Sequence, residues 1–95
     1  MTAYVIANIE VRDPARYADY IKLTPGTIVP FGGRFLARGG RSETLEGDVP
    51  AKRMVIIEFD TYENARAWYA SEGYKVAAAI RQSASTGSLM LIEGS

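Results

Sequence analysis

Two short segments, Met54-Val55-Ile56-Ile57 and Leu89-Met90-Leu91-Ile92, are apolar at every position. They are too short for helices of their own, and a strand apolar at every position demands cover on both faces. This requirement constrains the chain more than any other feature. The remaining elements have to supply two covers for one sheet.

Ala3 to Val11 reads as a further strand, with Ala3, Val5, Ala7, Ile9 and Val11 on one face and Tyr4, Ile6, Asn8 and Glu10 on the other. Asp13-Pro14 marks a helix start, Asp as the cap and Pro at the first helical position. Tyr17, Tyr20 and Ile21 then follow helical spacing. Pro25 predicts a stop or kink after Lys22 or Leu23. Thr24-Pro25 would cap a short restart carrying Ile28, Val29 and Phe31, ended by Gly32-Gly33. Arg34 to Arg38 is the second strand, with a bulge or turn expected at Gly39-Gly40. The stretch from Arg41 to Lys52 is long for a hairpin loop. Glu43 to Glu46 is a candidate continuation of the strand, with a turn near Gly47-Asp48.

Arg53 to Phe59 is the third strand. Asp60-x-x-Glu63 has the form of a capping box opening a helix with Ala65, Trp68 and Tyr69. Ser71-Glu72-Gly73 interrupts that helix, and a further helical piece carries Tyr74, Ala77, Ala78, Ile80 and Arg81. Ser88 to Glu93 is the last strand. The order is βαββαβ over one domain, residues 1–95, of the α+β class. Right-handed crossovers predict a ferredoxin-like four-stranded antiparallel sheet with both helical segments on one face. The other face would expose Tyr4, Ile6, Leu36, Met54, Ile56 and residues from Leu89 to Ile92. Such a patch exceeds what a monomer normally leaves in water. The sequence therefore predicts a homodimer closed through the open sheet face.

Composition excludes several chemistries. There is no Cys and no His, so thiolate nucleophiles, zinc–thiolate sites and the commonest general base are absent. No metal site and no cofactor is expected. Lys+Arg and Asp+Glu both total 11, and no basic stripe suggests a nucleic-acid partner. The βαββαβ order also fits an RNA-recognition domain. Arg53-Met54-Val55-Ile56-Ile57-Glu58-Phe59, however, lacks the Gly and spaced aromatics of that stacking platform. Met1 to Glu10 lacks a basic leader region, and no stretch approaches a membrane span. The expected location is the cytoplasm.

Parity places Met54, Ile56 and Glu58 on one strand face, and Arg34, Leu36 and Arg38 on one face of the neighbouring strand. With a near-symmetric turn these faces coincide, and an extra residue would flip the relation. Asn8, Glu10, Arg38 and Glu58 would then form a polar cluster on the open face. Two readings stay open. Either this is a pocket, with Arg38 as anion anchor and Glu58 as a candidate catalytic base, or an Arg–Glu pair sets the register of a dimer. Trp68 reads mainly as core. Tyr17, Tyr74 and Tyr69 are candidates for a pocket mouth, and Arg81 is either a partner of the helix C-terminus or a pocket residue.

Tyr4-Val5-Ile6-Ala7, Asp13-Pro14, Phe31-Gly32-Gly33-Arg34-Phe35-Leu36, Arg38-Gly39-Gly40, Leu45-Glu46-Gly47, Ile57-Glu58-Phe59 and Ala67-Trp68-Tyr69, with Tyr17, Ser71, Tyr74, Arg81 and the final Glu93-Gly94, resemble the domain of unknown function family 1330. Ser71-Glu72-Gly73-Tyr74 departs from the Ser-Pro-Glu-Tyr form usual at that helix break. The resemblance implies a dimeric α+β barrel, two sheets packed face to face around a cleft. The wider superfamily holds cofactor-free monooxygenases, lactone isomerases and haem-handling enzymes, but the family itself offers no catalytic residue to carry over. On this basis the expectation is a small-molecule site in the barrel cleft for a small aromatic or apolar acid, formed by Asn8, Tyr17, Arg38, Glu58, Trp68, Tyr74 and Arg81. It would belong to a cofactor-free enzyme or, alternatively, to a non-catalytic ligand-binding or structural homodimer.

Overall fold

The computed structural model describes residues 1–95. Strand β1 spans Ala3–Val11, helix α1 Pro14–Ile28, β2 Arg34–Arg38, β3 Arg53–Phe59, α2 Tyr62–Ala70, α3 Glu72–Ala84 and β4 Ser85–Glu93. The four strands form one antiparallel sheet in the order β2-β3-β1-β4. This is the ferredoxin-like arrangement the element order predicts. No helix is long and apolar enough to cross a membrane.

Alternation decides which face is core. Val5, Ala7 and Ile9 of β1 and Val55, Ile57 and Phe59 of β3 are buried under the helices. Tyr17 and Ile28 of α1, Trp68 of α2, and Tyr74, Ala77 and Ala84 of α3 meet them from above. Small side chains on β1 let the aromatic rings sit close: Trp68 lies 4.0 Å from Tyr74 and 5.4 Å from Phe59, centroid to centroid. The polar ends of the rings are paired, as buried donors require. The Trp68 indole N–H donates to Thr27 Oγ1 (3.0 Å), and the Tyr20 and Tyr74 hydroxyls share a 2.8 Å hydrogen bond.

Three local expectations are corrected. Helix α1 does not stop at Lys22 or Leu23 but runs through Pro25 to Ile28, then tightens into a 3-10 turn over Val29–Phe31. Gly32, at φ 74°, closes that turn. The N-cap of α2 is Thr61 rather than Asp60: its hydroxyl accepts from the Asn64 N–H at 3.0 Å. Asp60 is instead drawn to Arg34. Residues 43–46 are not strand; the segment from Gly39 to Lys52 is a loop, held by Thr44, which donates to the Val49 carbonyl and accepts from the Ala51 N–H. The helix break at Ser71 is as expected. Its hydroxyl donates to the Trp68 carbonyl (2.6 Å) and caps α3 by accepting from the Tyr74 N–H (3.2 Å).

The opposite sheet face carries no helix. Tyr4, Ile6, Met54 and Ile56 lie on it half-exposed, and Met90 and Ile92 at its β4 edge are 68% and 56% exposed.

Candidate functional site

The register of β2 against β3 determines where Arg38 points. Arg34 pairs with Glu58 and Phe35 with Ile57, but Ala37, not Leu36, pairs with Ile56. Leu36 is the extra residue of a β-bulge. One inserted residue reverses the facing of everything beyond it. Arg38 therefore pairs with Val55 and turns to the helix-covered face. The shared polar face predicted for Arg38 and Glu58 does not form, and the bulge sits at Leu36, three residues before the Gly39-Gly40 position expected for it.

The groups left on the open face satisfy one another. Glu58 accepts from Arg34 Nε at 2.7 Å. Asn8 staples the long loop to the sheet, donating to the Pro50 carbonyl (3.1 Å) and accepting from the Lys52 N–H (2.9 Å). Glu10 is paired with Arg12 and Lys52. Neither Asn8 nor Glu58 reaches the interior cavity that holds Tyr17, Arg38, Trp68 and Arg81.

That cavity lies between the sheet and helices α1 and α3, with a volume of about 30 Å³. Its floor is Val5, Ala7, Ile9, Val55 and Ile57; Phe35 and Leu89 close its flanks; Tyr17, Tyr20, Ile21, Thr24 and Trp68 form the roof. Three arginines enter it, Arg38 from β2, Arg53 from β3 and Arg81 from α3, and no carboxylate lines it. Arg81 is only 8% exposed, and its Nε is buried without a hydrogen-bond partner. The Arg53 Nε is likewise buried and unpaired. A buried guanidinium N–H without an acceptor is costly and uncommon. Two such N–H groups lie around one apolar cavity.

Local structure explains how each arginine arrives. Arg53 occupies the same strand parity as Val55 and Ile57, so it must face inward. Its guanidinium packs against the backbone at Gly39, where φ is 73° and where any Cβ would overlap Arg53 Nη1. Arg81 sits in the last turn of α3 on the stripe of Tyr74, Ala77 and Ala78, which are all buried. Arg38 lies with its Cζ 4.2 Å from the centre of the Phe35 ring and donates to the Ile21 carbonyl at 2.9 Å.

Two hydroxyls complete the polar lining. Burial, reinforced by the neighbouring Tyr74 hydroxyl, holds the Tyr20 phenol well above the usual tyrosine range. Burial, followed by the proximity of Tyr20, raises Tyr17 as well, although the Arg53 guanidinium opposes it. Both are hydrogen-bond donors at neutral pH rather than bases.

Of the residues singled out from the sequence, Tyr17, Arg38, Trp68 and Arg81 meet in this cavity, Tyr74 supports it from behind through Tyr20, and Asn8 and Glu58 lie across the sheet. Sequence reasoning missed Arg53, Tyr20 and Thr24. The alternation of β3 contained the signal for Arg53.

The family Domain of unknown function (DUF1330) matches residues 2–95. The chain belongs to that family. Among solved structures, the RPA0582 protein of unknown function from Rhodopseudomonas palustris superposes on this member of DUF1330 with a TM-score of 0.79 at 17% identity, over 98% of this chain and 82% of that one. SnoaB from Streptomyces nogalater, a cofactor-independent oxygenase, gives 0.66 at 15% identity over 99% and 93%. Rv0793 from Mycobacterium tuberculosis gives 0.57 at 14% over 99% and 95%. At these identities the likeness is one of fold. No curated protein matches the chain.

Proposed function

We propose that this DUF1330 protein is a homodimer that binds a small aromatic or apolar acid inside each protomer, between sheet and helices. The observation that carries the reading is Arg81, buried with an unpaired Nε in a carboxylate-free cavity that it shares with Arg53, whose Nε is likewise buried and unpaired. The apolar floor and the Trp68 and Tyr17 rings suit a flat hydrocarbon body, and the guanidiniums suit its anionic head. The homodimer reading rests on the helix-free sheet face, whose polar groups are internally paired and whose aliphatic side chains are left without cover.

A second reading, turnover of the bound acid without a cofactor, draws on the oxygenase that shares the fold. Here Tyr17 and Tyr20 would serve as proton donors, since no Asp, Glu, His, Lys or Cys lines the cavity.

Isothermal titration calorimetry with 2-naphthoate and with neutral 2-naphthamide tests the proposal. Saturable binding of the acid, at one equivalent per protomer and at least tenfold tighter than the amide, is the expected result. Equal affinity for the two, or none for either, would sink it. Oxygen uptake in the presence of the bound acid separates enzyme from binder.

A further inference from the structure

The cavity holds about 30 Å³, room for about two waters and far less than an aromatic acid needs. For the proposed acid to enter, part of the lining has to move. Of the residues that line the cavity, Arg38 alone is exposed. At the opposite end Leu89 is half-buried and Arg81 buried.

The position of Arg38 is set by a defect in α1. In a regular helix the Ile21 carbonyl accepts from the N–H of residue 25. Residue 25 is proline and has no N–H. The carbonyl is therefore without its helical donor, and Arg38 Nη2 occupies it at 2.9 Å. The same guanidinium lies over Phe35, another lining residue. The Leu36 bulge is what turns Arg38 to this face. Proline, bulge and arginine lie on two separate elements and meet at one point on the cavity rim.

We propose that Arg38 is the gate of the cavity, latched on the Ile21 carbonyl when the site is empty and transferred to the ligand's anionic head when it is filled. The proposal rests on the interior-site reading above. The latch explains why a helix interior carries a proline whose orphaned carbonyl is not left to water. It also makes Arg38 a specificity residue: an anion gives the guanidinium a stronger acceptor than the carbonyl it leaves, and a neutral analogue does not. Gating therefore favours acids in the closing step as well as in binding.

Trp68 is the single tryptophan and lines the cavity, so quenching of its fluorescence by acrylamide reads access without any ligand. Full-length wild type, Arg38→Ala, Pro25→Ala and Leu89→Ala would be compared, with circular dichroism confirming the fold of each. Pro25→Ala leaves every lining side chain in place and supplies the Ile21 carbonyl with a backbone donor that competes with Arg38. The Stern–Volmer constant should rise about three- to tenfold in Arg38→Ala and Pro25→Ala, the factor expected from losing one charge-assisted hydrogen bond at the surface. Unchanged quenching in those two variants, or a rise confined to Leu89→Ala, overturns the gate. Stopped-flow mixing with 2-naphthoate then separates the two proposals. Faster association and dissociation in Pro25→Ala supports both. Opened access without naphthoate binding in any variant keeps the gate and removes the ligand class.

Discussion

Replacing Arg81 with methionine should make the ligand-free protein more stable and abolish acid binding. Arg81 is 8% exposed, its Nε has no partner, and the cavity it lines has no carboxylate. Its Nε–H is therefore taken from water without a local acceptor. Replacing buried ionic groups by apolar ones of similar volume commonly stabilises a fold by about 1–4 kcal/mol. The Arg81 guanidinium also borders a surface groove with Gln82 and Thr86, so a gain of ~1–3 kcal/mol is the reasonable range. For a domain of this size that corresponds to a rise in Tm of roughly 4–24 °C. Differential scanning calorimetry at a fixed protomer concentration reads the first effect, and naphthoate calorimetry reads the second. A lower Tm for Arg81→Met would refute the reasoning, because it would mean that the guanidinium is satisfied and structural. A higher Tm with acid binding intact would equally remove Arg81 from the site.

Four further outcomes follow. Ile56→Glu, on the helix-free face, should convert the dimer to monomer in analytical ultracentrifugation while leaving the helical circular dichroism signal in place; a dimer of unchanged affinity would place the interface elsewhere. Gly39→Ala should destabilise by about 1–3 kcal/mol in urea denaturation and weaken acid binding, since the new methyl meets a φ of 73° and displaces Arg53. Thr61→Ala should cost about 1 kcal/mol and Asp60→Ala clearly less, the reverse of what a cap at Asp60 would give. Tyr17 and Tyr20 have folded pKa values raised above 10.0, so the unfolded chain loses those protons first. The stabilisation they lend is complete below about pH 10 and is lost as pH rises beyond it. Absorbance at 295 nm should show two of the six tyrosines ionising only together with unfolding.

Much of the fold was legible because local signals agreed with the global arrangement. Alternation in Ala3–Val11 marks the core face, the wholly apolar runs at Met54 and Leu89 mark strands of the sheet, and Ser71 breaks the helix where it should. The site was legible only in part, and the reason is specific. A side chain's face in a strand depends on an integer count, and the Leu36 bulge changes that count by one. Nothing in Arg-Phe-Leu-Ala-Arg resembles the Gly signals by which bulges are recognised, so strand parity alone puts Arg38 on the wrong side of the sheet. Pro25 misled in a related way. Sequence rules treat a proline as the end of a helix because it orphans a carbonyl, yet here that carbonyl has a guanidinium donor from β2. Thr61 overrode Asp60 as cap because Arg34 draws the Asp60 carboxylate away. Each miss is a tertiary contact deciding between two locally acceptable options. Arg53 differs: the inward parity of Val55 and Ile57 extends to it, and the reading could have been made.

Central to the proposed function is an anion held by Arg53 and Arg81, each with a buried, unpaired Nε. It is tested most directly by following the arginine Nε–Hε resonances of ¹⁵N-labelled protein as 2-naphthoate is added, with assignments from single Arg→Lys variants. The Arg53 and Arg81 signals should shift together and saturate at one equivalent per protomer, while those of Arg12, Arg16 and Arg66 stay in place. Shifts confined to surface arginines, or none at saturating acid, would contradict an anion site between sheet and helices.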